Sequence, residues 1–189
     1  VTVYRDGSRT GVLVTEKKQD FEYSNAAKRP KELNSELHLV SVKGVKYGVI
    51  IGLMNNKPYE VFGFTADPNT KAGKGKIVKV KRGHYNFISD IGELTDIQSA
   101  TIKHDELVLT RLISGMLRHG AKPQYVMEQI EKCELEVVSF GKAISRTLKK
   151  YCSEEEMIER SKCSNCGSTD LKMQEGCLTC NSCGFSKCG

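Results

Sequence analysis

Six of the eight cysteines in this 189-residue sequence fall between positions 163 and 189. Four of them form two stretches of one pattern, Cys163-Ser-Asn-Cys166-Gly167 and Cys180-Asn-Ser-Cys183-Gly184. Two thiolates separated by two residues on a tight turn face a single metal, and the trailing glycine lets the backbone turn without a Cβ clash. Two such knuckles supply four sulfurs, the donor set of structural zinc. Cys163, Cys166, Cys180 and Cys183 are therefore the expected zinc ligands. The plainer reading, buried or disulfide-bonded cysteines, is weaker, because so short a segment does not build a core without a metal and reducing compartments keep thiols reduced.

Cys177 competes for a place in that set, since Cys177 and Cys180 also have the two-residue spacing. The Cys180/Cys183 pair is preferred because it repeats the first knuckle, glycine included. That choice leaves Cys177 and Cys188. One lies three residues before the second knuckle and the other five after it, nearly opposite each other on a ribbon closed by that knuckle. Cross-strand neighbours sit about 4.5 to 5.5 Å apart at Cβ, and a one-residue register change brings such a pair within disulfide range. Spared by the metal and placed at a C-terminal end, the pair is a candidate dithiol carrier. The alternatives are that both are incidental or that Cys177 is the fourth ligand. Cys133 and Cys152 read as ordinary buried or half-buried thiols. The four histidines share no metal-like spacing, and no Ser/His/Asp order, phosphate loop or paired-carboxylate motif occurs. The chain alone carries no complete active site.

The elements that position these groups follow from the hydrophobic period. Residues 37–42, 45–53 and 59–64 are rich in β-branched and aromatic side chains. Lys43-Gly44 and Asn55-Asn56-Lys57-Pro58 separate them, which predicts an antiparallel meander. A Gly/Lys-rich stretch from Ala66 leads into a further hairpin over 77–88. From Lys103 the period becomes 3.6, with Leu109, Leu112, Ile113, Met116 and Leu117 as the expected buried stripe and Gly120 as the stop. Pro123 suits the first turn of a second helix, and a third is expected over 138–151. The fold class is α+β, an antiparallel sheet followed by about three helices packed on one face, with a small C-terminal zinc ribbon. Two short strands, Val1–Tyr4 and Gly11–Val14, precede it and read as part of an arm.

With 39% hydrophobic and 28% charged residues, the chain has the composition of a folded protein. No apolar run approaches the roughly 20 residues of a membrane helix, and no signal-peptide pattern is present, so a soluble, cytoplasmic protein is expected. A start at Val1 suggests a processed chain or a piece of a longer one. The net charge of +6 is concentrated in Lys71, Lys74, Lys76, Lys79, Lys81 and Arg82. Such a run is most often a solvated face, and lysines on a strand also guard a sheet edge. With Tyr85 and Phe87 available to stack on bases, it also admits a nonenzymatic zinc-ribbon module that binds nucleic acid.

The tail from Cys163 to Cys188 resembles the C-terminal ribbon of adenosylcobalamin-dependent (class II) ribonucleotide reductases. The segment Val1–Arg9 looks like the exit from their catalytic barrel. Arg29-Pro-Lys-Glu-Leu33 and Lys57-Pro-Tyr-Glu-Val-Phe62 resemble the start and central strand of the small domain after it. Leu117-Arg-His-Gly120 with Val126-Met-Glu-Gln-Ile130 resembles its helical pair. Where that family has Thr-Ser-Cys-Pro-Asp, this chain has Ser161-Lys-Cys-Ser-Asn165, and residues 66–88 look like an insertion.

The resemblance implies an organisation of residues 1–32 as an arm from a catalytic barrel outside this sequence, 33–152 as an accessory α+β domain, 153–162 as a linker and 163–189 as a zinc ribbon. It implies deoxyribonucleotide synthesis by radical chemistry, with adenosylcobalamin bound by the barrel and this portion inactive alone. Each turnover would oxidise an active-site cysteine pair, which a C-terminal dithiol, here Cys177 and Cys188, re-reduces before thioredoxin or a similar donor resets it. The expected partners are thus the barrel and a dithiol donor. A regulatory or assembly domain separated from the reductase is a further alternative.

Overall fold

The computed structural model describes residues 24–100, 103–133, 139–153, 163–174 and 177–188. The strands expected at Val1–Tyr4 and Gly11–Val14, and most of the 153–162 linker, lie outside the described residues. The body is α+β, as expected. Its six strands are β1 (Glu32–Val42), β2 (Val45–Met54), β3 (Lys57–Thr65), β4 (Gly73–Lys81), β5 (His84–Ser89) and β6 (Gly92–Leu94). They form one antiparallel sheet in the order β3-β2-β1-β4-β5-β6. The two-residue turns Lys43-Gly44 and Asn55-Asn56 have positive φ at both positions, the geometry that matches the twist of hairpin strands.

Side chains of β2 alternate between two cores. Tyr47, Val49 and Ile51 join Val61 under the helices, whereas Ile50 points the other way into a cluster with Leu37, Phe62, Ile77 and Phe87. The sheet curls over this second cluster, so that Phe62 of β3 and Tyr85 of β5, which are not ladder neighbours, have ring centroids 5.2 Å apart. The 66–88 stretch is built into this arrangement. β4 pairs with β1 along Glu32–Leu37, and Ile77 and Phe87 are fully buried.

Three helices cover the other face: α1 (His104–Arg118), α2 (Pro123–Lys132) and α3 (Ser139–Leu148), the last followed by a 3₁₀ turn at Lys149–Tyr151. Helix α1 lies along the edge strand β3, where the Ser114 hydroxyl accepts from the Val61 N–H at 2.9 Å and donates to the Thr110 carbonyl at 2.7 Å. Covering an edge in this way satisfies strand groups that would otherwise be orphaned. The contact also rotates the buried stripe. Thr110, Ile113, Ser114 and Leu117 face inward, and Leu112, expected in the core, is 64% exposed. Gly120 ends α1 at φ +86°, with Gly120 N–H on the Leu117 carbonyl and Ala121 N–H on that of Met116, a Schellman motif. At Gly63 a Cβ would lie 2.5 Å from the Phe140 ring, so the glycine lets α3 seat on the sheet.

Candidate metal centre and redox ribbon

A second, three-stranded antiparallel sheet is formed by β7 (Leu171–Gln174), β8 (Cys177–Cys180) and β9 (Ser186–Cys188). The two knuckles have the same backbone. In the first, the Gly167 N–H bonds the Cys163 carbonyl at 2.8 Å and the Cys163 N–H bonds that of Ser168 at 2.9 Å. In the second, Gly184 and Cys180 repeat those bonds at 2.9 and 2.8 Å, the latter to Phe185. Gly167 and Gly184 adopt φ of +72° and +73°, which explains the trailing glycines.

The knuckles interlock crosswise. Cys163 Sγ lies 3.5 Å from Cys183 Sγ, Cys166 Sγ lies 3.6 Å from Cys180 Sγ, and all four sulfurs fall within 4.8 Å of one another. Four sulfurs about 2.3 Å from a tetrahedral zinc would be about 3.8 Å apart, so the donor set fits that ion. Polar contacts hold the knuckles together: Ser168 Oγ to Ser182 Oγ at 2.8 Å, Asn181 Nδ2 to Asp170 Oδ1 at 2.8 Å and Asn165 Nδ2 to Cys183 Sγ at 3.6 Å. Cys163, Cys180 and Leu171 are buried with Leu178 against them, a core of a few side chains, too small to hold a sheet unaided.

Proton sharing within the cluster is uneven. The Phe185 N–H and then the Asn165 amide favour the Cys183 thiolate, pulling its thiol down to about 6. At Cys166 the Ser168 N–H also favours the thiolate, but the thiol's bonding to Cys183, burial, Cys163 and Cys180 outweigh it and push it up to about 12.

Cys177 is not in this cluster. It is half-buried, disulfide-bonded, and three residues from Cys180, which places it on the opposite face of β8. Its ladder partners are Gln174 on β7 and Cys188 on β9, directly in register with no offset. Because the Cys180 N–H bonds the Phe185 carbonyl across the ladder, alternation makes Cys177/Cys188 a non-hydrogen-bonded pair, with Cα atoms about 4.5 Å apart. That spacing lies inside the disulfide range. Cys133 proves exposed, and Cys152 is half-buried beside Met127 Sδ at 3.8 Å.

The basic run is partly neutralised by strand pairing, with Lys74 on Glu36 and Lys76 on Glu32 at 3.3 Å each. β4 is an interior strand, so these lysines do not guard an edge. Phe87 is 1% exposed and unable to stack on a base, and Tyr85 packs on Phe62 with the Arg29 guanidinium 5.1 Å over its ring.

Two polar clusters are not announced by residue spacing. Glu60, wholly buried, accepts from Arg29 Nη2 at 2.6 Å and Nε at 2.9 Å, and from Arg118 Nη2 at 2.6 Å. Its three members come from the three body segments that carry the reductase resemblance, those beginning at Arg29, Lys57 and Leu117. Nearby, Tyr59 donates to the Ala27 carbonyl at 2.6 Å, so residues 27–29 are fastened to the body. The other cluster joins Glu36, Tyr151, His38 and Lys150. Tyr151 donates to Glu36 Oε2 at 2.7 Å, and His38 lies 2.7 Å from the same hydroxyl and 3.3 Å from Lys150 Nζ. Sequence separations of more than a hundred residues hide it.

Among the described residues no helix is long and apolar enough to cross a membrane. No curated protein and no solved structure matches the chain. The family model described as NrdJ homologue C-terminal domain matches residues 33–153, the body from β1 through the 3₁₀ turn. The chain belongs to the NrdJ homologue C-terminal domain family and is thereby related to the C-terminal region of class II ribonucleotide reductases.

Proposed function

We propose that this chain is the C-terminal portion of a ribonucleotide reductase and that its tail delivers electrons to the active site. Zinc held by Cys163, Cys166, Cys180 and Cys183 fixes the ribbon, and Cys177 with Cys188 forms the travelling dithiol. The observation that carries this reading is the division of labour on β8: Cys180 belongs to the four-sulfur cluster, while Cys177 lies on the other face opposite Cys188. Metal-bound thiolates are poor carriers, and a pair kept apart from the metal stays available for exchange.

The exchange is balanced within the two pairs. A thiolate of the reduced tail attacks one sulfur of the active-site disulfide, expelling the other as a thiolate and leaving a mixed disulfide. The second tail thiol then displaces the first active-site sulfur. Two electrons and two protons pass inward, and the tail becomes a disulfide that thioredoxin or a similar dithiol reduces in turn. The barrel that holds the active site is the intramolecular partner, adenosylcobalamin bound there would supply radical initiation, and residues 153–162 are the linker between the 33–152 domain and the ribbon. Residues 1–32 form the arm leading from the barrel to the 33–152 domain, the 66–88 hairpin is the insertion, and the cytoplasm is the compartment that suits both substrate and donor.

Thioredoxin with its reductase and NADPH tests this on the chain itself. Stoichiometric reduction of one disulfide with zinc retained is expected, and it should vanish in Cys177→Ser. A chain that thioredoxin leaves oxidised, or whose reduction releases zinc, would refute the reading.

A further inference from the structure

A cleft of about 670 Å³ opens between the β4–β5 turn and helix α1, with no ribbon cysteine in its lining. Arg82, Arg111 and Arg118 line it, together with Tyr85 and Gln98, and among the described residues no acidic side chain does. Neither Arg82 nor Arg111 has a carboxylate partner among the described residues. Arg118 is anchored by Glu60 through Nη2, while its Nε is buried without a hydrogen-bond partner. Held by Glu60 through Nη2 and with 30% of its side chain exposed, this guanidinium is fixed in orientation at the cleft wall, which suits it to an oxyanion.

Gly115 gives an independent indication. It lies inside α1 and lines the cleft, although glycine weakens a helix relative to alanine. Nothing lies within 4 Å of the position a Cβ would take, and its φ is not in the left-handed region. Neither packing nor backbone conformation calls for glycine there. Keeping the cleft open does.

We propose that this cleft binds a small organic phosphate, its phosphoryl group held by Arg82, Arg111 and Arg118 and its body resting against Tyr85 and Leu107. The volume exceeds what a bare phosphate fills, and the apolar edges of Tyr85 and Leu107 give the remainder a surface. The site is independent of the redox reading of the tail.

Calorimetric titration of the full chain at low ionic strength, with phenyl phosphate and with inorganic phosphate, tests it. Phenyl phosphate is expected to bind saturably and more tightly than inorganic phosphate. Arg111→Gln, at an exposed position, should weaken binding about tenfold or more, the size of a lost charge-assisted hydrogen bond. Gly115→Leu should abolish binding, while Gly115→Ala raises the melting temperature and shows that the fold tolerates a side chain there. Absence of saturable binding would overturn the proposal. So would equal affinity for both probes, or unchanged affinity in Arg111→Gln and Gly115→Leu.

Discussion

Replacing Glu60 with glutamine tests the junction where the approach to β1, the edge strand β3 and helix α1 meet. The carboxylate has no exposed surface and answers two guanidinium groups, with Arg29 at 9% side-chain exposure and Arg118 at 30%. Glutamine keeps the volume but removes the charge and turns an NH₂ group toward a donor. Breaking a buried pair by removing one partner costs about 3–5 kcal/mol. Because Arg118 recovers part of its hydration, the expectation lies near the lower end, about 3 kcal/mol. For a domain of about 120 residues, each kcal/mol moves the melting point by about 4 °C, which gives a fall of about 12 °C. Circular dichroism melts of the full chain at constant zinc measure it, and urea titration at an unchanged slope checks that only stability has changed. A fall below about 3 °C would refute the reasoning, because a wholly buried carboxylate between two arginines would then contribute no more than a surface ion pair.

Two further perturbations probe the body. Ser114→Ala removes the hydroxyl that meets the edge strand, leaving the Val61 N–H buried and unanswered, and should cost about 1–3 kcal/mol in urea unfolding; a neutral result would mean that α1 does not satisfy that edge. At His38, burial and then Lys150 hold the imidazole below its ordinary value, with Glu36 opposing them. The unfolded chain therefore binds the proton more readily. Stability from this group is present above about pH 6.5 and is lost as the pH falls from there toward the depressed folded value. His38→Gln should flatten that part of the stability profile, and an unchanged slope would contradict the assignment.

Local chemistry was the legible part of the sequence. Lys43-Gly44, Asn55-Asn56, Gly120 with Pro123 and the two Cys-x-x-Cys-Gly knuckles each announce a turn or stop that depends on a few consecutive residues, and each is where its pattern places it. What depended on distant pairing was hidden. Leu112 satisfies a helical period yet points outward, because Ser114 docks on β3 and sets the rotation of α1. Phe87 reads as a residue beside a basic run but is core, because the sheet curls over it. Glu60 gains its meaning only from Arg29 and Arg118, 31 and 58 residues away. At the ribbon, spacing foretold the four-sulfur set but left Cys177 between two roles. The strand register separates it from the cluster because three residues along a strand change the face.

The most direct test of the account is zinc content and thioredoxin-driven disulfide reduction measured together on Cys177→Ser and Cys166→Ser. The account predicts that Cys177→Ser keeps one zinc per chain and loses reduction by thioredoxin, whereas Cys166→Ser loses tightly bound zinc. Loss of zinc from Cys177→Ser, or full thioredoxin-driven reduction in its absence, would contradict it.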